Sequence, residues 1–129
     1  MPDLNARILV VDDFSTMRRI VKGILKRLGY REIDEAEDGQ MALKRLRETQ
    51  YHLIICDWNM PVMTGLDLLK AVRSDEELKG IPFLMVTAEA KKDNILAAIQ
   101  AGVSNYIVKP FTEEVLSKKL EEIFKSRAA

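Results

Sequence analysis

Short apolar runs alternate along this chain with longer segments whose apolar residues recur every three or four positions. The first pattern predicts buried strands and the second amphipathic helices. Four of the runs stop at polar or charged residues: Val10-Val11-Asp12-Asp13, Ile54-Ile55-Cys56-Asp57, Leu84-Met85-Val86-Thr87 and Tyr106-Ile107-Val108-Lys109-Pro110. Strands are expected at residues 53–56, 82–86 and 105–108, with a weaker one at 33–36. Ser15 is placed to cap a helix whose apolar face is Met17, Ile20, Val21, Ile24, Leu25 and Leu28, ended by Gly29. Asp38-Gly39 opens a short helix with Ala42, Leu43 and Leu46 inward, and Gly65 leads into one carrying Leu68, Leu69 and Val72. A later helix sets Ile95, Leu96 and Ile99 on one face before Gly102, and Thr112 caps a last one bearing Val115, Leu116, Leu120, Ile123 and Phe124. Strands alternating with helices predict a parallel sheet. The expected fold is α/β, a doubly wound three-layer sandwich of five strands and five helices.

In an open parallel sheet the ligand site lies beyond the carboxyl ends of the strands. Asp12, Asp13, Asp57, Thr87 and Lys109 should therefore meet at one edge. Carboxylates crowded together repel, by about 1 kcal/mol per pair at 4 Å in water and about 4 at an effective dielectric of 20. Such a cluster needs positive charge. A hard cation with oxygen ligands supplies it, and Mg²⁺ fits a site of one or two carboxylates. Lys109, held away from helical geometry by Pro110, supplies a second positive charge. Thr87 adds a hydroxyl. A nucleophilic carboxylate, a metal, a lysine and a hydroxyl around one anion suit phosphoryl transfer through an aspartyl phosphate.

Composition narrows the classes. At 129 residues the chain is expected to be one domain, 1–129, with no effector domain. Lys plus Arg and Asp plus Glu are 20 each, so a nucleic-acid partner, which needs a basic surplus, is not expected. No apolar stretch nears the roughly 20 residues of a membrane helix, and a cytoplasmic protein is expected. Cys56, the only cysteine, excludes an internal disulfide and reads as a small core residue. His52 reads as a surface residue, and Met60, Met63 and Met85 as packing.

The residues resemble the receiver domains of two-component response regulators, and more narrowly the single-domain chemotaxis regulators. The likeness is carried by Val10-Val11-Asp12-Asp13-Phe14-Ser15-Thr16-Met17-Arg18-Arg19-Ile20-Val21, Asp57-Trp58-Asn59-Met60-Pro61, Met85-Val86-Thr87-Ala88-Glu89-Ala90-Lys91-Lys92 and Lys109-Pro110-Phe111. Cys56, Val62 and Thr64 depart from the usual residues, away from the phosphorylation chemistry. The resemblance implies a flavodoxin-like fold with strand order 2-1-3-4-5. It implies that Asp57 accepts a phosphoryl group from a chemotaxis histidine kinase. Mg²⁺ would be bound directly by Asp13, Asp57 and the Asn59 backbone carbonyl, with Asp12 acting largely through water. Lys109 would contact the phosphoryl group through a strand end whose peptide bond to Pro110 is often cis. Thr87 and Tyr106 would form a switch pair, and Asn59 and Glu89 would tune hydrolysis. Lys91, Lys92, Tyr106 and Lys119 would bind the flagellar motor switch protein and the kinase. A dedicated phosphatase would be a candidate further partner, though the sequence does not say whether one exists, and a monomer is expected.

Other readings make different demands. A Mg²⁺-dependent aspartyl phosphatase usually carries a general-acid Asp two residues after its nucleophile, where this chain has Asn59. A flavodoxin-like electron carrier needs a phosphate loop after the first strand, where Asp12-Asp13 would repel the flavin phosphate. A stand-alone phosphorelay receiver unconnected to motility shares the chemistry and differs only in partner.

Overall fold

The structure, a computed structural model, describes residues 4–88 and 91–128, with side chains through Lys125. Five strands, β1 (Arg7–Val11), β2 (Glu32–Ala36), β3 (Leu53–Asp57), β4 (Phe83–Thr87) and β5 (Asn105–Val108), form one sheet in the order β2-β1-β3-β4-β5. Every pairing is parallel. Five helices alternate with them: α1 (Ser15–Arg27), α2 (Gly39–Glu48), α3 (Gly65–Ser74), α4 (Lys92–Gln100) and α5 (Glu113–Ala128). This is the doubly wound architecture expected from the sequence pattern and the strand order that the resemblance implies.

The central strands read as unbroken apolar runs because both sheet faces are covered. Alternate residues point to opposite faces. Ile8, Val10, Ile55, Leu84 and Val86 pack on one side with Val21, Ile24 and Leu25 of α1 and Leu116, Leu120 and Ile123 of α5. Leu9, Val11, Ile54, Cys56, Phe83 and Met85 pack on the other with Ala42 and Leu46 of α2 and Leu68, Leu69 and Val72 of α3. Cys56, Met60 and Met85 are buried, as their packing roles require, and His52 is exposed.

Three local expectations are corrected. Ser15 is the first residue of α1 and not its cap; the cap position is Phe14, without a side-chain hydrogen bond. The reason lies upstream, where Oδ1 of Asp12 accepts from the Phe14 backbone N–H and turns the chain before Ser15 is reached. Ile20 and Val115 sit at the margins of their helical stripes and stay exposed. In α4 the expected apolar face is not an inward one: Leu96 and Ile99 are 44% and 55% exposed, and the buried residue is the small Ala98. That helix precedes β5, the four-residue edge strand, which offers little surface to cover. Elsewhere the caps follow the sequence. Asp38 accepts from Met41 N–H, Thr64 and Asp67 form a capping box, and Thr112 accepts from Val115 N–H.

Candidate functional site

The sheet brings the expected residues to one edge through its own hydrogen bonding. Val11 pairs with Cys56, Asp57 with Val86, and Thr87 with Val108, so the three central strands and β5 end almost level. The ladder continues one step past each end. Asp12 N–H donates to Ala36 O, Trp58 N–H to Val86 O, and Lys109 N–H to Thr87 O. Asp12, Asp57 and Lys109 are thus aimed by rigid backbone. The Lys109–Pro110 peptide is cis.

One oxygen from each of Asp12, Asp13 and Asp57 lies within 4.8 Å of the others. Asp12, Asp57 and Thr87 are buried, whereas Asp13 is exposed at the mouth. Lys109 Nζ is 2.8 Å from Asp57 Oδ1 and 3.8 Å from Asp12 Oδ2. The shorter contact is an ion pair without hydrogen-bond alignment, since the buried Asp57 Oδ1 has no hydrogen-bond partner among the described residues. Burial is the main influence holding the Asp12 carboxyl above its ordinary pKa of 3.8; the Phe14 hydrogen bond opposes it, while the neighbouring carboxylates add to it and Lys109 subtracts. The site therefore carries carboxylate repulsion that one lysine only partly relieves. Converging oxygen donors, a buried Asp57 Oδ1 with no aligned hydrogen bond and negative charge that one lysine only partly offsets fit a hard divalent cation.

Asn59 is exposed, two residues beyond Asp57. Tyr106 is half-buried at the β5 edge, with Lys119 Nζ 5.4 Å from its ring centroid. Lys91 and Lys92 are exposed at the start of α4. Glu89 lies outside the described residues. Burial pushes the Cys56 thiol well above its ordinary range, as do Asp57 and Asp12, which leaves it an inert core group.

Two contributors were not singled out from the sequence. Gly65 donates its N–H to Trp58 O at 2.9 Å, and a Cβ there would come within 2.5 Å of the Asp57 carbonyl oxygen. Only glycine lets α3 approach the end of β3 so closely. Arg18 donates to the Asp12 carbonyl at 2.6 Å. A glycine opening a helix is a readable signal, but the approach of Arg18 to Asp12 depends on the tertiary structure.

The chain belongs to the response regulator receiver domain family, whose description matches residues 8–121. Within that family it is a CheY-like receiver. It is 58% identical over 118 residues to the chemotaxis protein CheY of Pseudomonas aeruginosa, covering 92% of this chain and 95% of that protein. Among solved structures it resembles the chemotaxis protein CheY4 of Vibrio cholerae, with 38% identity, a TM-score of 0.87, and coverage of 92% of this chain and 98% of that one. It also resembles the receiver domain of a sensor histidine kinase from Pseudomonas aeruginosa, a structure with a magnesium ion coordinated in its active site cleft. There the identity is 27%, the TM-score 0.84, and the coverage 94% of this chain and 98% of that one.

Proposed function

We propose that this chain is a single-domain chemotaxis response regulator that accepts a phosphoryl group on Asp57 from a histidine kinase in a Mg²⁺-dependent reaction. The observation that carries the reading is the convergence of three carboxylates within 4.8 Å, with Lys109 2.8 Å from Asp57. Mg²⁺, a hard cation held through oxygens, suits that set of carboxylates. Asp13, Asp57 and the Asn59 carbonyl would hold it, with Asp12 acting through water. When bound it neutralises charge on the transferring group.

A carboxylate oxygen of Asp57 attacks phosphorus in line, the bond to the donor imidazole nitrogen breaks, and the imidazole leaves with its electron pair. Lys109 stabilises the phosphoryl oxygens, and the Thr87 hydroxyl donates to one of them. Rigid strand ends supply the positioning that dominates such a reaction. Asn59 and Glu89 tune the later attack of water on the acyl phosphate, which makes the signal self-limiting without a turnover role.

The phosphoryl group adds about two negative charges at neutral pH. Thr87 and Tyr106, on adjacent strands, carry the resulting change to the surface of Lys91, Lys92, Tyr106 and Lys119. Output is by direct binding to the flagellar motor switch protein, by a monomer in the cytoplasm, with a dedicated phosphatase as a further partner.

The test is binding of a motor-switch peptide with and without Mg²⁺ and an acyl-phosphate donor. Phosphorylation is expected to tighten binding by at least about fivefold, the lower end of common coupling energies. Equal binding in both states, with Asp57 phosphorylated, would leave a phosphorelay receiver unconnected to motility.

A further inference from the structure

Arg18, on the first turn of α1, joins the acidic cluster to the neighbouring strand. Its Nη1 donates to the Asp12 carbonyl at 2.6 Å, and its Nε donates to Oε1 of Glu35 at 3.0 Å. The side chain is 15% exposed. Glu35 lies on β2 opposite Val10, next to Ala36, whose carbonyl accepts from Asp12 N–H. Lys22, one turn further along α1, places its ammonium 3.4 Å from the other Glu35 oxygen. Partial burial pushes the Glu35 carboxyl up, but the Arg18 hydrogen bond and Lys22 outweigh it, so its pKa is lowered. Glu35 is thus a fixed anion that holds the guanidinium in place.

The carbonyl that Arg18 grips belongs to the peptide unit joining Asp12 to Asp13. That unit is planar, so anchoring its oxygen sets the direction in which the Asp13 N–H and Cα leave the strand. Asp12 is already fixed elsewhere: its N–H by Ala36, Oδ1 by Phe14 N–H, and Oδ2 by the charge of Lys109. Asp13, by contrast, is exposed at the mouth of the site.

We infer that Arg18, braced by Glu35, is a positioning residue of the cation site, fixing the Asp12–Asp13 peptide plane so that both carboxylates face the ion with Asp57. The inference rests on the proposed Mg²⁺ site. It has a sign that electrostatics alone does not share. Removing a guanidinium that reaches the Asp12 carbonyl should, by charge alone, tighten cation binding if it changes it at all, whereas loss of the anchor should weaken it.

The experiment is isothermal titration calorimetry of the full chain with Mg²⁺ alone, for wild type, Arg18→Ala and Arg18→Lys, with thermal melts of each. Arg18→Lys keeps the charge but lacks the fork that reaches two acceptors, and it carries the test if Arg18→Ala does not fold. Both variants are expected to raise the Mg²⁺ Kd by about tenfold, the lower end of the effect of groups that orient metal ligands. An unchanged Kd in Arg18→Lys, or a lower Kd in Arg18→Ala, overturns the inference even where the melts show lost stability. A wild type that takes up no Mg²⁺ overturns the metal reading and this inference with it.

Discussion

The Lys109 ammonium sits 2.8 Å from Oδ1 of Asp57, at the floor of a site where Asp57 is 5% and Asp12 3% exposed. β4 lies between β3 and β5, and this pair reaches across it from the residue after β5 to the last residue of β3. Lys109 is therefore both a structural counter-charge and the cation nearest the proposed phosphoacceptor. Lys109→Met should cost about 2–3 kcal/mol in urea unfolding without Mg²⁺, below the 3–5 of a fully buried broken pair. Saturating Mg²⁺ should then recover more stability in this variant than in wild type, because the ion replaces the missing charge. Equal responses to Mg²⁺ would show that Lys109 does not offset the carboxylates.

The pH dependence of Asp12 has a definite sign. Its carboxyl titrates above its unfolded value of 3.8, chiefly through burial. The native state thus binds the proton more tightly than the unfolded chain does. This contribution is fully present below the unfolded pKa and is lost as pH rises through the folded one. At neutral pH and without Mg²⁺ the charged Asp12 costs stability, so Asp12→Asn, which keeps the acceptor for Phe14 N–H, should melt a few degrees higher than wild type. The gap should narrow in acid and reverse in saturating Mg²⁺. A variant that melts lower than wild type at pH 7 without Mg²⁺ would contradict this.

Val62 stands in the loop after Asp57 with φ of 68°, a left-handed conformation that β-branched residues rarely adopt. The residue is 94% exposed, so no packing repays the strain. Val62→Asn should raise stability by about 1 kcal/mol, because asparagine tolerates this region. Chemical denaturation of both proteins checks it, and a destabilised variant would show that the valine side chain contributes something the free chain does not display.

Much of the fold was legible because buried parallel strands are apolar on both faces and end abruptly. The run Leu53 to Cys56 and the charge at Asp57 locate β3 and its functional tip in the same stretch of sequence. The acid cluster was legible for the same reason: Asp12, Asp57, Thr87 and Lys109 each close a strand. What stayed hidden depends on tertiary approach. The exposure of Leu96 and Ile99 follows from how little sheet lies beneath α4. The reach of Arg18 to Asp12 depends on the angle of α1, and the strain at Val62 on the path of the loop. The start of α1 at Ser15, uncapped, follows from Asp12 taking the Phe14 N–H first.

The most direct test of the central claim is the intact mass of wild type and Asp57→Asn after incubation with a small acyl-phosphate donor, with and without Mg²⁺. The expected result is one added phosphoryl group in wild type, only with Mg²⁺, and none in Asp57→Asn. Equal labelling of Asp57→Asn, or labelling of wild type indifferent to Mg²⁺, would contradict the assignment of Asp57 as the acceptor in a cation-dependent site.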